Sequence, residues 1–211
     1  MTTKRRTRFG PMAVIALAFL VGIAAYPNIP GNAIDRMPGA RAQIAFSLPA
    51  TILVIYLLFR SLWRHDRIRT GNGAFEATYH AIVFRTMLFV FAMDALLMLA
   101  LTDVMDVVGT HVWGKRVVVV FLGLAIIAIG NLIPRTRPNI AFGIRTSKTL
   151  SDVQLWQRVH RAGGYTTVAL GASILIAGIV TTGTSAGGFV LLAAAIAAGA
   201  VFVSYRKYAN A

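Results

Sequence analysis

Six continuous apolar runs divide the chain, at 9–26, 42–63, 81–102, 116–133, 165–183 and 187–205. Crossing a bilayer as a helix takes about 20 apolar residues. The runs are unbroken rather than alternating, so they predict helices and not the two-residue period of a membrane barrel. The predicted fold is all-α: a polytopic transmembrane helix bundle with six spans and one structured cytoplasmic loop. Two regions follow from the spacing. Residues 1–115 hold three spans, and residues 116–211 hold three more together with the loop 134–164. The last two runs, joined by a short link around Thr184 to Ala186, are expected to form a tight antiparallel pair. The small residues Ala195 and Gly199, and Ser173 and Ala177, are spaced for close helix approach.

Composition agrees with the membrane reading and charge adds an orientation. The chain is 57% hydrophobic and 13% charged, against about 25% charged in an ordinary soluble domain. A net charge of +14 would suit nucleic acid, but the cations stand at the ends of apolar runs rather than on one face of a domain. No direct nucleic-acid binding is expected, and the lipid bilayer is the first partner. One side of the alternating topology collects sixteen Lys and Arg, the other four, and Arg85 lies inside a run. The side rich in cations is the cytoplasmic one, which places both termini in the cytoplasm. The basic start of the first run, with Gly22 and Ala24 near its end, also fits a signal peptide; it is read here as a retained span. Without cysteine there is neither a disulfide framework nor a thiolate site.

The loop between the fourth and fifth runs is the most polar part of the chain. It carries Arg135, Arg137, Arg145, Lys148, Arg158 and Arg161 with a single acid, Asp152. Pro134 and Pro138 should end the fourth helix and hold an extended stretch, and Gly143 permits a turn. Ser151, with Gln154 three positions on, predicts a capped helix that Gly163-Gly164 would end or hinge. Leu155, Trp156 and Val159 fall on one side of it. Such a helix suits the membrane interface, with Trp156 at headgroup depth; the other reading is a soluble connector. The whole loop is expected to fold as a compact cap. In it Arg145, His160 and Arg161 would converge on Asn131 and Asn139 in a basic, hydrogen-bonding pocket, unless these groups satisfy only one another and lipid headgroups.

Gly130-Asn131, Pro134, Asn139, Gly143-Ile144-Arg145-Thr146, Thr149-Leu150, Trp156, His160-Arg161 and Gly163-Gly164 occur in that order over about 35 residues. This arrangement resembles the C-terminal signature of the SdpI family, bacterial membrane proteins named for an immunity protein against a secreted toxic peptide. Where that family shows Pro-Trp after Arg-Thr, this chain has Ser147-Lys148, so an aromatic role at that point is unfilled. The stretch Tyr26 to Arg41 resembles the family's outward loop only loosely. The resemblance implies a non-enzymatic protein of the bacterial plasma membrane. Its task would be immunity against a membrane-active antimicrobial peptide, signalling by holding a cytoplasmic repressor, or both. Asn131, Asn139, Arg145, Thr146, Trp156, His160 and Arg161 would then be the binding residues.

Asp94, near the middle of the third run, is the other candidate. A carboxylate at bilayer depth is costly and is either functional or a neutral, hydrogen-bonded acid. Arg85, nine positions earlier, faces the opposite side of the helix and could meet Asn131 at one depth. Asp94 supports an alternative reading as a small transporter or permease; an intramembrane enzyme with an Asn, Arg and His site is a weaker third. His65, His80, His111 and His160 are scattered, so neither a metal site nor a cofactor is expected. The segment Arg69 to Phe75 reads as a flexible turn, and no catalytic constellation stands out.

Overall fold

The computed structural model describes residues 3–29, 39–70, 76–102, 112–180 and 185–209. They form helices α1 (Thr3–Ala25), α2 (Ala40–Thr70), α3 (Glu76–Leu101), α4 (Val112–Gly130), α5 (Ser147–Ser151), α6 (Val153–Val180) and α7 (Ser185–Ala209). All but α5 are long and apolar enough to cross a membrane, so the chain is a multi-pass, all-helical membrane protein. The link at 181–184, most of the loop after α1, and residues 71–75 lie outside the described residues, and with them the readings made there.

The first three helices pack as a bundle around bulky side chains. One apolar cluster joins Val14, Ile15 and Ala18 of α1, Ile52 and Trp63 of α2, and Tyr79, Val83 and Met87 of α3. A second, toward the other end, joins Ala25, Ile29, Ala45 and Met98. The Tyr79 hydroxyl donates to the Phe59 carbonyl at 2.7 Å, which fixes the antiparallel register of α2 and α3.

The second half is held differently. α4 and α6 form the most extensive helix pair, and their contact is lined by glycine. Gly123 and Gly130 on α4, and Gly164, Gly171 and Gly178 on α6, are spaced seven apart. A Cβ on Gly171 would lie 2.8 Å from the Gly123 carbonyl, one on Gly123 2.7 Å from the Leu175 nitrogen, and one on Gly178 3.0 Å from the Val120 nitrogen. The backbones therefore touch, and a seven-residue spacing keeps one face on its partner along the contact. Lipid offers no hydrophobic gain for joining helices, so dispersion at such close approach is what holds them. α7 packs on α6, and α3 packs on α4. Arg85 of α3 donates to the Ala128 carbonyl of α4, one turn short of Asn131, the partner expected at that depth.

Two sequence expectations change here. The short interface helix does not end at Gly163-Gly164: α6 runs without a break from Val153 to Val180. Glycine inside a helix costs about 1 kcal/mol, and contact with the end of α4 offsets this, because a Cβ on Gly164 would sit 2.5 Å from the Pro134 ring. Ala195 and Gly199 are not at a helix contact. Both are exposed, and a Cβ on Gly199 would meet nothing within 4 Å.

Candidate functional site: the polar cap

After α4 the chain makes a 3-10 turn at Ile133–Arg135, with Pro134 near its start, where a missing N–H costs nothing. Thr136 closes the turn through its hydroxyl, which donates to the Ile133 carbonyl at 2.7 Å. Asn139 then builds the next bend. Its Oδ1 accepts from the backbone N–H groups of Ala141 and Phe142, both at 2.8 Å, and its amide donates to the Arg137 carbonyl. An Asn side chain bonding to the backbone two residues on imitates a turn. The bend aims Phe142 at the first bundle, where its ring lies 4.9 Å from those of Phe59 and Tyr79.

Gly143 follows with φ +95°, a backbone state that side chains disfavour. A Cβ there would also collide with the His160 ring at Nε2. The reason is the next bond: the Ile144 N–H donates to His160 Nε2 at 3.0 Å. His160 Nδ1 lies 2.8 Å from the Trp156 carbonyl. One nitrogen must accept and the other donate, so the ring is the neutral Nδ1–H tautomer. Trp156 stacks on it, with ring centroids 3.8 Å apart and planes 13° apart. The indole N–H donates to the Thr136 carbonyl at 3.1 Å.

The remaining polar groups are caps. Thr146 accepts from the Thr149 N–H, while the Thr149 hydroxyl accepts from the Thr146 N–H at 2.9 Å and donates to the Ile144 carbonyl at 2.7 Å. This is the capping box of α5. α6 is started by Asp152, whose Oδ1 accepts from the Gln154 and Leu155 N–H groups at 2.7 and 3.1 Å, and not by Ser151. A carboxylate at a helix N-terminus gains from both the free N–H groups and the helix dipole. Two bonds tie the cap to the end of α7: Tyr205 hydroxyl to Thr146 Oγ1 at 3.2 Å, and Lys148 Nζ to the Ala209 carbonyl at 3.1 Å.

The structure thus brings Asn139, Thr146, Trp156 and His160 into one hydrogen-bonded core and leaves three expected partners outside it. Asn131 and Arg161 are exposed, and Arg145 turns back to the Ile140 carbonyl. The expected convergence on a basic pocket does not occur, because both nitrogens of His160 and the Asn139 amide are used in holding the backbone. Trp156 is 0% exposed and sits inside the protein rather than on its outer surface. Thr136, Thr149 and Phe142 complete the core. Their signal is a hydroxyl or ring beside each turn, legible only once the turns are known. The outer surface of the cap carries Arg135, Arg137, Arg158 and Arg161, all exposed. Chemically, the cap is a rigid polar scaffold that presents cations.

No curated protein and no solved structure is matched by the chain. Residues 135–206, from the first cation of the cap to the last turns of α7 and about a third of the chain, are similar to the model of the SdpI/YfhL protein family.

Proposed function

We propose that the chain is a non-enzymatic, SdpI-type protein of the bacterial plasma membrane, with both termini and the cap in the cytoplasm. Its task in this reading is immunity against a membrane-active secreted peptide, with the cap as the surface that holds a cytoplasmic partner. The observation that carries it is the cap itself. A folded, cation-bearing surface at the end of the bundle where the basic residues gather suits docking, while its His and Asn are too engaged to serve as catalytic groups. Deleting the gene and challenging the cells with a panel of antimicrobial peptides tests it. Sensitivity to at least one peptide should rise and be restored by the wild-type gene. Unchanged sensitivity across the panel, with no partner recovered by cross-linking from a Cys at Arg161, would sink the proposal. In the otherwise Cys-free chain, a Cys at Lys148 should resist labelling from outside and one at Thr110 should react.

A further inference from the structure

The first bundle contains a polar group that the cap does not use. Asp94 of α3 is 0% exposed, and among the described residues neither of its carboxyl oxygens has a hydrogen-bond partner. It lies between the two apolar clusters, since Met87 belongs to one and Met98 to the other. The same gap on α2, between Ile52 and Ala45, holds Pro49, and on α1, between Ala18 and Ala25, it holds Gly22.

These residues supply an acceptor. Pro49 is buried within α2 and has no N–H, so the carbonyl one turn back, that of Ala45, loses its helical donor. That carbonyl faces α1, because a Cβ on Gly22 would collide with it. Its depth can be counted from the Tyr79–Phe59 bond. Asp94 is fifteen residues beyond Tyr79 and Ala45 is fourteen before Phe59. At about 1.5 Å per residue both stand about 21–23 Å along their helices from that bond. One buried group thus needs a partner, and one carbonyl freed by proline lies at the same level.

We propose that Asp94 is an intramembrane proton-binding site, whose acid O–H donates to the Ala45 carbonyl that Pro49 leaves free. An ionised carboxylate here would have no donor among the described residues, a costly state in a low-dielectric interior. Arg41, one turn outward from Ala45 on α2, and Arg116 of α4 do not bond to Asp94, and α1 carries no Lys, Arg, His or acid between Phe9 and Ala25. A metal cation is a poorer occupant, because two carboxyl oxygens and one carbonyl fall short of the six or more oxygens that hard cations take. The proton is shared by α2 and α3 at the layer where Gly22 of α1 meets the Ala45 carbonyl, so its removal would loosen all three helices together.

Infrared spectroscopy of the full chain in lipid vesicles at neutral pH tests this. The carbonyl stretch of a protonated carboxyl should be present and should be lost in Asp94→Asn, a variant whose amide N–H can still donate to Ala45 and so preserves folding. In Pro49→Ala, which returns an N–H to the Ala45 carbonyl, the band should shift to higher frequency as its hydrogen bond weakens. If Asp94→Asn removes only carboxylate absorption, the site is ionised and the proposal is overturned. If Pro49→Ala leaves the acid band in place and unshifted, the Ala45 carbonyl is not the acceptor and the assignment fails. If Pro49→Ala does not fold, Pro49→Gly with the same readout replaces it.

Discussion

The two halves of this membrane protein solve one problem in opposite ways. α1, α2 and α3 meet through large side chains, with Met87 and Ile52 fully buried between them and Trp63, Tyr79 and Phe59 in ring contact at one end. α4 and α6 meet through the absence of side chains, glycine against glycine at seven-residue intervals. A bulky interface yields when a neighbour changes, because side chains have rotamers to move into. A backbone interface has nothing to move, so an added methyl must separate the helices. The family model matches residues 135–206, the cap with α6 and α7, and so takes in one of the two helices of the backbone contact.

The largest effect is expected from Gly171→Ala. Its Cβ would enter within 2.8 Å of both the Gly123 carbonyl and the Ile127 nitrogen, and overpacking of this kind costs about 3 kcal/mol. The unfolding midpoint should fall clearly in a thermal or detergent unfolding assay. Gly199→Ala, inside α7 with open space around it, should unfold no more easily than the parent and slightly less so, because alanine favours the helix by about 1 kcal/mol. Gly10→Ala, in the first bundle, meets the Phe84 ring at 3.0 Å and should fall between them, because a ring can turn aside. Equal losses at Gly171 and Gly10 would remove the distinction between the halves.

Next in size is Gly143→Ala. It combines a left-handed backbone with a collision against His160, and such strain costs about 2 kcal/mol. The helices should persist while the cap opens. Amide hydrogen exchange reads this directly: the Ile144 N–H, now bonded to His160 Nε2, should lose its protection. Unchanged protection at Ile144 would mean that the His160 bond does not hold the cap shut.

Phe142 tests whether the halves are joined through the cap. It belongs to the loop of the second half yet packs on Phe59 and Tyr79 of the first. Aromatic pairs contribute about 1 kcal/mol beyond their burial. A double-mutant cycle with Phe142→Ala and Phe59→Ala should return a coupling of that size in an unfolding assay. A coupling near zero would make the two halves independent at this end.

Much of this architecture is legible in the sequence, for identifiable reasons. Bilayer thickness imposes a length, so the six spans stand out from hydropathy alone. Pro134, Asn139 and Gly143 each mark a turn because each restricts or frees the backbone in its own way. The pattern around Trp156 points to the membrane interface because amphipathicity shows that a face is buried, not what buries it; here the Thr136 turn does. Gly163-Gly164 reads as a hinge because glycine lowers helix propensity, and only the contact with Pro134 makes a continuous helix the better arrangement. The glycine stripe is hidden for a related reason. Its period of seven is spread over two helices, and nothing local distinguishes Gly171, which touches a backbone, from Gly199, which has open space around it.

The smallest expected effect concerns how α7 is tied to this scaffold. α7 packs on α6 and meets the cap through Tyr205, whose hydroxyl donates to Thr146 Oγ1, and through Lys148, which reaches the Ala209 carbonyl. Lys148 is exposed and its bond is in competition with water, so Lys148→Ala should be close to silent. Tyr205→Phe removes one neutral hydrogen bond at 3.2 Å and keeps the ring, a change of about 0.5 kcal/mol. Thr146 retains its bonds to Thr149, so the capping box should survive, and hydrogen exchange at Thr149 should not move. Exchange near the end of α7 should rise slightly instead. If Tyr205→Phe unfastened α5 as well, the cap would depend on α7 for its shape, and the backbone turns around His160 would not be enough to hold it.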